Sequence, residues 1–136
     1  MTRYSSWVPL ILRLSLASIF FVHGTSKWGM WEMQPSEQAP AMMIAMMKIL
    51  SVVEPLGALA LILGVCTTFA SMGLSVVMFG AINIKMDSLH LQFMEQQSTG
   101  WELEFMVLTA LISLMILGPG TISLDHRLLK PTTHGR

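Results

Sequence analysis

Two ionisable side chains interrupt long apolar stretches of this sequence, where a charge requires a partner, water or the interior of a helical assembly. Arg13 lies within WVPLILRLSLASIFFV, and Glu54 lies within AMMIAMMKILSVVEPLGALALILGV. With a rise of about 1.5 Å per helical residue, Arg13 lies roughly 9 Å from its helix end at Trp7. Glu54 lies roughly 16 Å from the corresponding end at Val65, and an arginine stem can cover most of the difference. We therefore predict an intramembrane Arg13–Glu54 ion pair, which either locks helices together or serves a proton or ligand.

Further polar residues are predicted to meet at the outer ends of the same apolar segments. Helical spacing places Arg13, Gly24 and Lys27 on one face of the first segment, with His23 at its margin. The predicted residues of a polar, ligand-binding pocket are Arg13, His23, Lys27, Glu54, His90 and Glu104. The same end also collects Lys48, Lys85, Asp87 and Glu102. The sequence assigns no catalytic residue among them.

The residue types in this pocket are compatible with more than one chemistry. Quinone carbonyls need a histidine, lysine or carboxylate partner beside an apolar slot, which these residues offer. The histidines, His23 and His90, follow no metal-ligand or haem spacing motif. Thioethers suit Cu(I), although methionine is also a flexible apolar filler. The methionines of this alternative copper site are Met30, Met33, Met42, Met43, Met46 and Met47.

The elements that position these residues are predicted to be transmembrane helices. The 136 residues are 53% apolar and 12% charged, and apolar runs approach the length of about 20 residues that a span needs. We predict an all-α membrane protein with one domain, 1–136, whose spans are about 7–24, 41–65, 67–86 and 102–118. These form an antiparallel four-helix bundle, with a tight turn after Gly64. The run Gly118-Pro119-Gly120 is predicted to end the last helix.

The distribution of charge predicts orientation and excludes one class of partner. Four spans place both termini on one side of the membrane, with Lys27 and Lys85 on the other. The side with the termini collects Arg3, Arg127, Lys130 and Arg136. Because basic residues favour the cytoplasm, both termini are predicted to be cytoplasmic. The formal net charge of zero provides no field for a polyanion, so no nucleic-acid partner is expected.

Three motifs along the chain together resemble one known family. In LRLSLASIFFVHGTSKW, an arginine within a helix precedes a His-Gly pair and a lysine, and VEPLGALALILGVCT joins a glutamate to glycines before a short turn. The third motif is GWELEFMVLTALISLMILGPGTISLD, with Glu104 near its start. These motifs resemble the DoxX family. The chain departs from it at Gly57-Ala58, where members often have Gly-Gly, and at Pro55.

The resemblance implies a four-helix integral protein of the bacterial inner (plasma) membrane. Some DoxX-like proteins are subunits of thiosulfate:quinone oxidoreductases, others associate with superoxide dismutase and a sulfurtransferase, and others accompany copper-related peptide-modifying systems. We therefore expect a membrane subunit of a redox-related complex, with a quinone-binding or polar pocket. The alternative is a non-enzymatic module that scaffolds a partner or handles copper or a small ligand.

The apolar segments and the family resemblance together predict the partners of the protein. The lipid bilayer and a membrane or periplasmic redox protein are expected, and homo-oligomerisation stays open because small-residue stripes serve internal and oligomeric packing equally. The sequence has no nucleotide-binding fingerprint and no iron–sulfur cysteine set. We therefore expect no intrinsic cofactor and no self-sufficient enzyme.

Overall fold

Helices are the only regular secondary structure in the residues that the structure describes. The computed structural model describes residues 7–37, 39–95 and 99–129. The helices are α1 (Trp7–Ser26), α2 (Ala41–Leu63), α3 (Thr67–Asn83), α4 (Glu102–Leu117) and α5 (Leu124–Leu129). A 3₁₀ helix, Trp28–Trp31, follows α1, and a π-helical turn, Ile84–Ser88, extends α3. No strand occurs within the described ranges, so the all-α prediction is confirmed there.

Three helical segments are long and apolar enough to cross a membrane. They are Trp7–Trp31, Ala41–Leu63 and Thr67–Ser88. Their outward faces carry large apolar side chains, such as Ile11, Leu56 and Phe69, that are more than half exposed in the isolated chain. Hydrocarbon is a favourable surrounding for such a surface. Helix α4 has 16 residues and is therefore about 24 Å long, somewhat less than the thickness of about 30 Å of a hydrocarbon core.

The four long helices pack against one another around a shared apolar core. Contacts join α1 to α2, α2 to α3, α3 to α4, and α1 to α4. Phe20, Leu61, Leu74 and Leu111 are each at most 2% exposed and come from all four helices. Small residues bring helices close together, since a Cβ added at Gly57 would lie 2.9 Å from a terminal methyl of Leu74. Close van der Waals contact of this kind holds apolar helices together where lipid removes the hydrophobic driving force.

A tight turn joins α2 to α3, as predicted. Gly64 has a φ of +68° and ends α2 in the left-handed conformation, with its N–H donating to the Ala60 carbonyl. A Cβ at this position would lie 2.6 Å from an Arg13 nitrogen and from the Ser123 Cβ. Both the backbone conformation and the space therefore require glycine. We call the end with residues 64–66 the hairpin end, and the opposite end, with Trp28–Trp31 and residues 89–95, the loop end.

Arg13 is buried at the hairpin end, where it binds only carbonyl oxygens. It is 1% exposed. Its Nε donates to Leu61 O at 2.7 Å and its Nη2 donates to Ile62 O at 2.8 Å. Its Nη1 donates to Pro119 O at 3.0 Å and to Ile122 O at 2.6 Å. Because the last carbonyls of α2 have no partner within the helix, the guanidinium satisfies them and complements the negative end of the helix dipole.

The predicted Arg13–Glu54 ion pair is therefore wrong. Glu54 instead binds Lys27, with 2.6 Å between Nζ and Oε2. The prediction placed the start of α1 level with the end of α2, whereas Arg13 itself is level with the last turn of α2. Glu54 precedes Gly64 by ten residues and so lies about 15 Å further along. Carbonyl oxygens at the level of Arg13 take the place of the distant carboxylate.

The segment after α4 folds back onto the α2–α3 turn through Asp125. Its Oδ1 accepts the Cys66 N–H at 2.7 Å, and its Oδ2 accepts the Thr67 N–H at 2.9 Å. The Asp125 N–H donates to Gly64 O at 2.8 Å. Burial by itself raises the pKa of Asp125, but these N–H donors, together with the charge of Arg13, outweigh it and hold the pKa below its usual value. The carboxylate thus caps the start of α3 from a remote part of the chain.

Replacing Arg13 should destabilise the protein more than replacing any exposed arginine. Arg13→Met leaves buried carbonyls without donors, which should cost about 3 kcal/mol. Arg13→Lys should restore only part of this loss, because an ammonium lacks the planar fork that reaches both groups of carbonyls. Thermal unfolding in detergent measures both effects. The control is Arg127→Met, at an exposed position, and equal unfolding midpoints for Arg13→Met and Arg127→Met would contradict the prediction.

The contact of Asp125 should make stability depend on pH in a defined direction. Because its folded pKa is lowered, its contribution is complete above the unfolded pKa of about 3.9 and is lost as the pH falls through the folded pKa. Wild type should therefore exceed Asp125→Asn in unfolding midpoint at pH 7, and the difference should shrink below about pH 4. Asp87→Asn, at an exposed carboxylate, is the control. A difference that stayed constant down to pH 3 would argue against this account.

Candidate functional site

A partly enclosed cavity of about 490 Å³ lies among the helices towards the loop end. Its walls are mainly apolar and come from α2 and α3. The apolar and small lining residues are Met46, Met47, Leu50, Val76, Val77, Met78, Gly80, Ala81, Ile84 and Leu89. The polar lining residues are His23, Lys27, Glu54, Lys85 and Glu104. The cavity is therefore an apolar slot with two ion pairs in its wall, each made of one lysine and one glutamate.

The first pair, Lys27 and Glu54, connects the end of α1 to the middle of α2. Besides the contact of 2.6 Å with Glu54, the Lys27 ammonium donates to His23 O at 2.9 Å. Glu54 is 2% exposed, so its charge depends on this partner. The cation is also well placed beside the carbonyls that end α1, where the helix dipole is negative.

The second pair, Lys85 and Glu104, connects the π-helical turn to the first turn of α4. The Lys85 ammonium lies 2.9 Å from Oε1 and 3.0 Å from Oε2 of Glu104. It also donates to Gly100 O at 2.7 Å and to Thr99 O at 3.3 Å. A carboxylate in the first turn of a helix is stabilised by the helix dipole. This pair therefore fixes the start of α4 against α3.

Pro55 and Gly24 set the position of the first pair. Pro55 has no N–H, so the Ser51 carbonyl lacks its helical partner, and Trp28 Nε1 donates to that carbonyl at 3.2 Å. The ring of Pro55 lies directly against Gly24, where an added Cβ would overlap it and would lie 3.1 Å from the Glu54 Cβ. The close approach of α1 and α2 therefore brings Lys27, three residues after Gly24, to the carboxylate.

The 3₁₀ helix supports this arrangement from the loop end. Trp31 Nε1 donates to Ser51 Oγ at 3.0 Å, and Ser51 Oγ donates to Lys48 O at 2.7 Å. The Lys48 ammonium lies 5.7 Å from the centre of a Trp31 ring, within the range of a cation–π contact. Both indoles thus hold the segment after α1 on α2, one turn from Glu54.

The structure brings most of the predicted pocket residues together, but not all of them. His23, Lys27, Glu54 and Glu104 line the cavity. Arg13 lies at the opposite end, and His90 is exposed and absent from the cavity lining. Lys85, which the sequence analysis placed near the pocket without assigning it a role, completes the second pair. Its relation to Glu104 depends on a loop between α3 and α4 whose path the helical spacing does not predict.

In residues 7–37, 39–95 and 99–129, no group of three or more His, Cys, Asp or Glu side chains could hold a metal ion. Of the six methionines of the alternative copper site, Met46 and Met47 line the cavity. Met42 is 86% exposed and Met33 is 42% exposed. A role in copper handling stays a prediction.

The apolar helices and the charged pairs among them define a helical membrane protein. The model of the DoxX family matches residues 8–87, more than half of the chain, and the protein belongs to the DoxX family. The matched region covers nearly all of α1, all of α2 and α3, and most of the π-helical turn, and it contains Arg13, Lys27, Glu54 and Lys85. No curated protein and no solved structure matches the chain.

The fit between Gly24 and Pro55 should be sensitive to a single methyl group. Gly24→Ala forces α1 away from α2 and should cost about 1–3 kcal/mol of stability, since the overlapping atoms belong to a rigid ring. Gly29→Ala is a matched control, because a Cβ there meets nothing within 4 Å. Thermal unfolding in detergent compares the two variants. Equal stability would mean that the contact has no part in positioning Lys27.

Proposed function

We propose that the protein is an inner-membrane subunit of a redox-related complex and that its cavity binds a quinone. The observation that carries the proposal is the cavity itself, with apolar walls and two Lys–Glu pairs whose carboxylates are buried. Its volume of about 490 Å³ is within the range of ligand pockets. The walls suit an isoprenoid tail, and the charged pairs suit the oxygens of the ring.

We further propose that α4 is the fourth span, so that the helices form a four-helix bundle with both termini in the cytoplasm. Helix α4 packs on α1 and α3, and Phe105, Met106 and Ile116 point large apolar side chains outward. Trp101 stacks edge-on with Phe93 and Phe105 at the start of α4, which suits an interfacial aromatic belt. In this orientation the cavity lies near the outer face of the membrane. Three basic residues used for the orientation, Arg3, Lys130 and Arg136, lie outside the described residues.

The redox partner is proposed from the sequence. Because the chain has no nucleotide-binding fingerprint and no iron–sulfur cysteine set, a partner protein would supply the electron carrier. The protein would hold the quinone near that carrier and would keep its ring oriented. Its own reaction steps would then be limited to binding and to hydrogen bonding with the ring oxygens.

Two glycines of α3 allow a test that leaves the fold intact. Gly80 lines the cavity and Gly73 does not, and a Cβ at either position meets nothing within 4 Å. Gly80→Leu should fill part of the cavity and weaken binding of a benzoquinone with a decyl tail by about tenfold. Gly73→Leu should bind it as wild type does. Titration of protein in lipid nanodiscs, with empty nanodiscs subtracted, measures both.

Two results would overturn the proposal. If wild type shows no saturable binding above the lipid background, the cavity is not a quinone site, and the protein acts as a scaffold or on another ligand. If both leucine variants bind as wild type does, the quinone binds elsewhere. Unfolding midpoints of the two variants should agree, which separates a filled cavity from a damaged fold.

A further inference from the structure

We infer that the polar head of the ligand is recognised at one end of the cavity only, by Lys27, Glu54 and His23, and that Lys85 and Glu104 are a positioning pair. This inference rests on the proposed function, because it concerns the ligand of the same cavity. It assigns different roles to two ion pairs of similar composition. The difference lies in how much hydrogen-bonding capacity each pair has left.

The Lys85–Glu104 pair has little capacity left for a ligand. An ammonium group has three N–H donors. Lys85 has acceptors for all of them in the Glu104 carboxylate, Gly100 O and Thr99 O. Both oxygens of Glu104 lie within 3.0 Å of the same ammonium. These contacts hold residues 99–104 on the end of α3, which is a structural task.

The Lys27–Glu54 pair keeps capacity on both partners. Lys27 has two acceptors, His23 O and Glu54 Oε2, which leaves one N–H donor. Within the described residues, no donor reaches Glu54 Oε1, and the His23 ring makes no hydrogen bond. Both residues line the cavity together with Lys27. This end therefore presents the ammonium donor, a carboxylate acceptor and both nitrogens of an imidazole.

The remaining groups specify a chemical class of head. The two lysines and two glutamates of the cavity sum to zero charge, so the wall does not attract an ionic head. A carbonyl oxygen of the ligand can accept a hydrogen bond from the free N–H of Lys27. A hydroxyl of the ligand can donate a hydrogen bond to Glu54 Oε1 or to the His23 ring. The site therefore takes a neutral ring with carbonyl or hydroxyl groups, and it can hold the quinone and the quinol. An anionic phospholipid head would lack a matching cation.

The test compares two probes that differ only at the head. Decylbenzene has the ring and the tail of the decyl benzoquinone but no oxygen atoms. In wild type, the quinone should bind about tenfold more tightly than decylbenzene. Lys27→Met combined with Glu54→Gln should lower that ratio to below about three, because the ammonium donor is lost while the His23 ring and the introduced amide can still meet the ring oxygens. Lys85→Met combined with Glu104→Gln should keep the ratio within about threefold of wild type, even if both affinities fall together.

The outcomes separate failure of the inference from failure of the proposed function. If wild type binds neither probe, the proposed function fails and the inference fails with it. If wild type prefers the quinone and only the Lys85/Glu104 variant loses the preference, the function stands and the inference is wrong. The inference is also wrong if the preference survives in both double variants. Should the Lys27/Glu54 variant not fold, His23→Phe is the second variant, and it should lower the ratio without changing the affinity for decylbenzene.

Discussion

The need to satisfy Arg13 in apolar surroundings determines how the hairpin end is built. A guanidinium has five N–H donors in a rigid plane, and its burial is tolerated only when acceptors lie in that plane. The acceptors come from the last turn of α2 and from the segment after α4. One side chain of α1 therefore joins two other parts of the chain. Asp125 completes the arrangement by capping the start of α3.

At the loop end, charged side chains are instead balanced by ion pairs. Some of their hydrogen-bonding groups have no partner within the described residues. Lys27 and Lys85 each reach a buried glutamate across a helix interface. At the hairpin end, backbone carbonyls accept hydrogen bonds from four of the five N–H groups of a single cation. At the loop end, an apolar cavity separates the helices and the charged pairs form part of its wall. This contrast is the reason that we propose the ligand site at the loop end.

Pro55, which lies within α2, has an identifiable structural role. A proline within a helix removes one backbone hydrogen bond, and this loss is usually compensated by a neighbouring group. Here the indole of Trp28 donates to the freed Ser51 carbonyl. The proline ring also fits against Gly24, where a side chain would not fit. The proline thus favours the attachment of the 3₁₀ helix to α2 and sets the spacing of α1 and α2.

The sequence by itself determined the helical class, the position of the apolar segments, the turn at Gly64 and the end of α4 before Gly118. These features depend on the composition and backbone preferences of residues that are close together in the sequence. It also predicted a shared pocket for six residues, of which His23, Lys27, Glu54 and Glu104 line one cavity. The tertiary structure decided which charges pair, that Arg13 binds carbonyls, that His90 lies outside the pocket, and that α5 folds back onto the hairpin. Those outcomes depend on the axial offset between helices, which is set by contacts such as Gly24 with Pro55 and cannot be read from spacing within one helix.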